Sequence, residues 1–250
     1  MAISRAQLAK ELEPGLNALF GLEYDRYENE HAEIFDEETS DRAFEEEVML
    51  GGFATAPVKS EGGTISFDDA QETFTARYTH ETIALADGAA LCSSSHPSLT
   101  GNQRNLLSVA ADLNETSLEQ MLIDIAGFTD ERGLKIAVRG MKLIIPKELQ
   151  FIAERVMNSN LRVGTADNDA NAMRNMGMLP EGAVVNHFLT DTDAFFIKTD
   201  APNGFKMFNR SPIKTAMEGD FDTGNMRFKA RERYSFGVSD WRCVFATPGA

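Results

Sequence analysis

The stretch from Glu30 to about Ile83 constrains this chain more than any other, because it is long, strand-forming and too poor in apolar residues to build a core of its own. From Glu30 to Glu47 it is crowded with carboxylates. After Val48 it turns glycine-punctuated and β-favouring, through Gly51-Gly52, Glu61-Gly62-Gly63 and then Thr64-Ile-Ser-Phe67. Two extended runs about a flexible tip make a long hairpin. Its second arm alternates Phe74, Ala76 and Tyr78 with Thr75, Arg77 and Thr79, the period-two pattern of a strand with one wet face. With so little apolar surface, the hairpin must lie on something else.

Charge is distributed as unevenly as hydrophobicity. Residues 1–86 hold 19 Asp and Glu against 6 Lys and Arg, whereas residues 87–250 hold 20 against 18, so the first third carries 13 of the 15 net negative charges. Phosphate binding needs a cationic surface, which argues against nucleic acid as a ligand of that third. At 250 residues, 42% hydrophobic and 25% charged, the chain is in the globular range. No window approaches the roughly 18 apolar residues of a membrane span, and Met1 to Leu8 lacks a signal-peptide core, so the expectation is a soluble protein made in a cytoplasm. Two cysteines, Cys92 and Cys243, are too few for a disulfide framework, and both are expected reduced and buried.

Several elements can be placed from the pattern. Ser4 and Gln7 have capping-box spacing ahead of Leu8 and Leu12, and Pro14-Gly15 ends that helix. A second amphipathic stretch runs through Leu16, Leu19, Phe20, Tyr24 and Tyr27. Residues 87–111 read as irregular, with a turn at Ser98–Gly101. Asn114 or Thr116 caps a helix whose Leu118, Met121, Leu122 and Ile125 share a face, with Gly127 near its end. Ile136–Val138 and Leu143–Ile145 are expected to pair as strands. Pro146 then opens a helix bearing Leu149, Ile152, Ala153 and Val156 on one face. After a polar stretch, Asn158 to Met178, short strands recur at 183–189, 194–198 and 205–208, separated by Asp-Thr-Asp and Pro-Asn-Gly turns. The longest strand is expected at Met226 to Val238. It sets Met226, Phe228, Ala230, Tyr234, Phe236 and Val238 on one side and Arg227, Lys229, Arg231 and Arg233 on the other.

Catalytic and metal signatures are sparse. Cys92 and His96 share a Ser-rich loop, but a useful thiolate needs a base and an orienting group, and polar loop residues account for the pair as well. A metal site would have to gather Cys92, His96, His187 and Cys243 from across the chain. Asp167-Asn-Asp169 opens like a calcium loop and then departs from it, with Ala172 where glycine is required and Met178 where the bidentate glutamate belongs. Asp191 and Asp193 are a second weak oxygen pair, read as solvated turn residues. Nucleotide-binding, zinc-protease and hydrolase motifs are missing. The basic row of the last long strand, set against so acidic a first third, has the form of electrostatic matching between subunits.

Five segments, in order, resemble the major head subunit family of Mu-like tailed bacteriophages: Ala32 to Phe44, Asp87 to Pro97, Asp112 to Leu118, Thr190 to Phe196 and Ser239-Asp-Trp-Arg242. The resemblance implies an α+β fold of the Hong Kong 97-like capsid type. It implies an N-terminal arm at 1–35, an extended loop at 36–82, a peripheral domain from 83–133 and 223–250, and an axial domain at 134–222. The implied function is structural: an icosahedral shell enclosing double-stranded phage DNA, assembled in the host cytoplasm and found in the virion. No enzymatic activity, cofactor or metal is expected. The implied partners are copies of the chain in pentamers and hexamers, with scaffolding, portal and decoration proteins, and packaged DNA held without sequence specificity; no membrane is involved. The residues assigned to intersubunit contact are Lys59, Arg77, Arg227, Lys229, Arg231 and Arg233, Lys59 being the only lysine in the extended loop and the candidate for a covalent cross-link. A nanocompartment shell is the near alternative, and a small cytosolic enzyme using Cys92 or His187 the distant one. In one respect the chain departs from the family pattern. A long spine helix belongs between about Ala84 and Asp87, yet Ala86 runs directly into Asp87: either the protein lacks that helix or a segment is missing there, with an intact mass of 27.6 kDa expected for the first and several kilodaltons more for the second.

Overall fold

A computed structural model describes residues 30–40, 45–50, 72–78, 90–162, 169–219 and 226–250, with the backbone alone at 45–50, 72–78, 217–219 and 226–228. The strands are β1 (Asp36–Thr39), β2 (Glu45–Leu50), β3 (Glu72–Tyr78), β4 (Gly140–Ile145), β5 (Ala183–Val185), β6 (Phe195–Thr199), β7 (Phe205–Gly219), β8 (Met226–Val238) and β9 (Val244–Thr247). The α-helices are α1 (Glu115–Ala126), α2 (Gln150–Asn158) and α3 (Ala172–Met176), with 3-10 turns at Glu30–Glu33, Lys147–Leu149 and Trp241–Cys243. The chain divides into two compact units, residues 1–43 with 207–236 and residues 44–206 with 237–250.

The second unit holds a sheet in the order β5-β4-β6-β9. β4 runs parallel to β5 and antiparallel to β6, and β6 is antiparallel to β9. The register lines up Leu143, Ile197 and Phe245 across three strands, and all three are sealed from solvent. Three apolar side chains in one cross-strand row stabilise the sheet by packing as well as by burial. α1 forms as its pattern requires: the Asn114 side chain accepts from the Ser117 amide, and the Ser117 hydroxyl in turn accepts from the Asn114 amide. Leu118, Met121, Leu122 and Ile125 face inward. Leu122 reaches β4 so closely that a Cβ on Gly140 would lie 2.7 Å from it.

Where the structure differs from the pattern reading, the reason is tertiary. Ile136–Val138 does not become a strand; β4 takes β5 and β6 as partners instead. Pro146 precedes a 3-10 turn before α2 begins, so the helix starts one turn later than expected. α3 interrupts the polar stretch 158–178 and ends at Gly177, whose φ of 58° suits glycine. β7 spans 15 residues where a short strand was expected, and it is longer than β8 with 13. The 90–111 segment is irregular as expected, and Ser98 and Gly101 exchange backbone hydrogen bonds in the turn. The Pro-Asn-Gly turn is present with Asn203 left-handed at φ 58°.

β2 and β3 pair antiparallel from Glu45↔Tyr78 to Leu50↔Glu72, with an irregularity between Met49 and Leu50. The hairpin tip lies outside the described residues, as do the helices expected in the first 29 residues and the Ala86–Asp87 junction. In the first unit the strands run in the order β1-β7-β8. The ring of Phe236 meets Phe35 at 4.8 Å and His31 at 5.7 Å, tying the turn at 30–35 to β8. Among the described side chains on the expected apolar side of β8, Val238 is buried and Phe236 half-buried, whereas Ala230 and Tyr234 are exposed. Among the described residues, no helix is long and apolar enough to cross a membrane.

Candidate functional site

The segment Ser239–Arg242 forms a buried clasp in the second unit. Asp240 caps the 3-10 turn by accepting from the Arg242 amide at 2.9 Å. The Arg242 guanidinium, 3% exposed, donates to Oε1 of Glu131 at 2.8 Å, to the Thr129 carbonyl at 2.9 Å and to Asp240 at 3.2 Å. It also lies 4.3 Å from the centre of the Trp241 ring. Trp241 stacks on His96 at 4.5 Å with the planes 5° apart and receives the edge of Phe128 at 5.4 Å. A fully enclosed ion pair with this many hydrogen bonds is costly to break, because the remaining charge is left buried and alone.

His96 and Asn105 are fully buried and fasten the irregular 90–106 segment to the clasp. His96 Nε2 is 3.0 Å from Oδ1 of Asn105; that oxygen accepts, so Nε2 carries the proton. The Asn105 amide nitrogen donates to the carbonyls of Leu91, Trp241 and Val244. A segment without helix or strand is thereby held by side chains, and its backbone groups find partners they could not find locally.

This geometry redefines the residues singled out for chemistry. His96 is a structural ring in a stack. Burial pushes the Cys92 thiol up to about 11, which leaves roughly one thiolate in ten thousand at neutral pH. Cys243 likewise has its thiol held well above the ordinary value, by burial and then by the charge of Asp240. Its Cβ lies 2.5 Å from where a Cβ on Gly204 would stand, so glycine there is a packing requirement. His187 is exposed in the turn after β5. Among the described residues, no three His, Cys, Asp or Glu side chains converge to hold a metal. Asn171, from the calcium-like loop, is buried as the cap of α3 and donates to the Val156 carbonyl; residues 163–168 of that loop lie outside the described residues. Asp191 and Asp193 hydrogen-bond to each other, which lowers the first carboxyl and raises the second.

Of the residues assigned to intersubunit contact, Lys59 lies outside the described residues, and Arg77 stands on β3 opposite Glu46 in the ladder. Arg227, Lys229, Arg231 and Arg233 follow one another at every second position of β8, with Lys229 and Arg231 exposed and Arg233 half-buried.

The model of a protein family described as phage capsid protein matches residues 56–247. This chain belongs to that family. It is a structural capsid protein of the head shell and a virion component. The solved capsid of an empty GTA particle aligns with 88% of this chain and 89% of its own at 11% identity, with a TM-score of 0.53. A solved structure from Mycobacterium phage Bobi aligns with 99% of this chain and 98% of its own at 12% identity, with a TM-score of 0.48. No curated protein matches. The fold is the α+β Hong Kong 97-like type, and the Mu-like affinity rests on the five segments alone. Those segments missed the partners of the clasp: Glu131 pairs with Arg242 across 111 residues, a distance at which neither spacing nor periodicity carries a signal.

Proposed function

We propose that this chain is the major head subunit and that copies of it assemble, through pentamers and hexamers, into an icosahedral shell around double-stranded phage DNA. The capsid family match over residues 56–247 carries this reading. On it, the chain has no catalytic role, assembly takes place in the host cytoplasm, and scaffolding, portal and decoration proteins are the further partners. Residues 1–35 act as an arm and 36–82 as an extended loop reaching a neighbouring copy, while 83–133 with 223–250 and 134–222 serve as peripheral and axial regions. β9, from 223–250, joins the sheet of β4 and β6, from 134–222. Lys59, Arg77 and the row Arg227, Lys229, Arg231 and Arg233 meet acidic surface of adjacent copies. The packed DNA is contacted without base readout.

Negative-stain electron microscopy with size-exclusion chromatography, at low and moderate salt, tests the proposal. Closed uniform shells, or rings of five and six subunits, are expected. A monodisperse monomer or dimer under every condition would contradict it.

A further inference from the structure

The two edges of the sheet in the first unit carry opposite charge. Among the described residues, β1 is one edge, β8 the other, and β7 lies between them. β1 reads Asp36-Glu37-Glu38-Thr39, and each of its residues is exposed. Across positions 227–233, the sequence of β8 holds Arg227, Lys229, Arg231 and Arg233 against Glu232 alone. Adjacent strands are about 4.8 Å apart, so β7 holds the β1 and β8 backbones roughly 10 Å apart and keeps them from pairing within one chain.

An open edge is a row of backbone donors and acceptors that can take on another strand. Side-chain charge decides which strand is tolerated, since like charges directly opposed across a pair destabilise it and unlike charges stabilise it. Two copies meeting β1 to β1 would set carboxylate against carboxylate. Meeting β8 to β8, they would set cation against cation. Both of those are isologous contacts, which stop at a dimer. The remaining arrangement, β1 against β8, opposes unlike charges and is heterologous, the kind of contact that repeats and closes into a ring. Charges that merely blunted the edges against aggregation could have had one sign on both. Opposite signs exclude the two dimeric contacts and leave the ring-forming one.

We infer that the β1 edge of one copy docks on the β8 edge of the next, head to tail, and that this charge difference sets the polarity of assembly. The inference rests on the assembly reading above and names the surfaces it uses.

The test uses the full chain and three variants. One reverses the acidic edge (Asp36→Lys, Glu37→Lys and Glu38→Lys), one reverses the basic edge (Lys229→Glu, Arg231→Glu and Arg233→Glu), and the third carries all six changes. Circular dichroism melting checks folding; sedimentation and negative-stain microscopy read assembly. Each one-sided reversal should lose its shells, and the six-change variant should regain them because its edges are again unlike. Folded one-sided variants that assemble like the parent, or a folded six-change variant that does not recover, overturn the inference. Should a variant not fold, the unmodified chain still decides: its shell yield should fall from low to moderate salt as opposed charges are screened, and an unchanged yield overturns the inference. An unmodified chain that forms no shell at any salt overturns the assembly reading itself and this inference with it.

Discussion

The sheets β5-β4-β6-β9 and β1-β7-β8 end in different states. In the first, Leu143, Ile197 and Phe245 line up and are sealed, and the Arg242 clasp nearby is equally dry. In the second, β1 is wholly exposed, and Tyr234 on β8 remains 45% exposed in spite of its expected inward side. A chain that folded only for itself would have little reason to leave Ala230 and Tyr234 exposed on β8 while sealing the row of Leu143, Ile197 and Phe245. The contrast teaches that burial within one copy and burial within an assembly draw on different parts of the same sequence. The clasped sheet is complete in one copy; on the assembly reading, the charged sheet is completed by neighbours.

The comparison is broken most severely at the clasp. Arg242→Ala leaves the Glu131 carboxylate enclosed without its cation and should cost about 3–5 kcal/mol in chemical denaturation. Next comes Gly204→Ala, which drives a Cβ against that of Cys243; overpacking of this kind costs about 1–3 kcal/mol and should lower the melting temperature with little change in secondary structure. Asn114→Ala removes the reciprocal cap of α1 at about 1 kcal/mol, again read by denaturation. On the other sheet, Lys229→Ala and Arg231→Ala should shift the stability of the unassembled subunit by less than about 0.5 kcal/mol while weakening shell formation, and an effect on stability as large as that of Asn114→Ala would dissolve the distinction between the two sheets. A further effect is on pH. The folded state holds the Cys92 proton more tightly than the unfolded chain, with its pKa raised from 9.0 to about 11, so this stabilisation is complete below pH 9 and is lost as pH rises toward 11. Stability measured across that interval should fall, and less steeply in Cys92→Ala.

Legibility followed the range of the interactions. The face of α1 and its Asn114 cap were readable because every contact that defines them lies within four residues. The Pro-Asn-Gly turn and the irregularity of 90–111 were readable for the same reason. Ile136–Val138 has the composition of a strand but not the partner, since β4 is occupied on both sides by β5 and β6. The strand expected at 205–208 stops short of Asn209, Arg210, Ser211 and Pro212, whereas β7 runs through them to Gly219 in the sheet. The thiol and imidazole of Cys92 and His96 looked like chemistry in a linear reading and are, respectively, a protonated thiol and a stacked ring.

By itself, the sequence determined the separation of charge, the helix that caps itself, the alternation of β8 and a hairpin too polar to stand alone. All of these follow from residues that meet across a few positions. The tertiary structure decided that Arg242 pairs with Glu131, that Trp241 covers His96, and that the acidic and basic strands stand at opposite edges of one sheet with β7 between them. Those choices depend on residues far apart in the chain, 111 positions for Arg242 and Glu131, where the entropy of closing the loop grows too slowly with length to favour one partner over another. Only packing and charge in three dimensions discriminate among them.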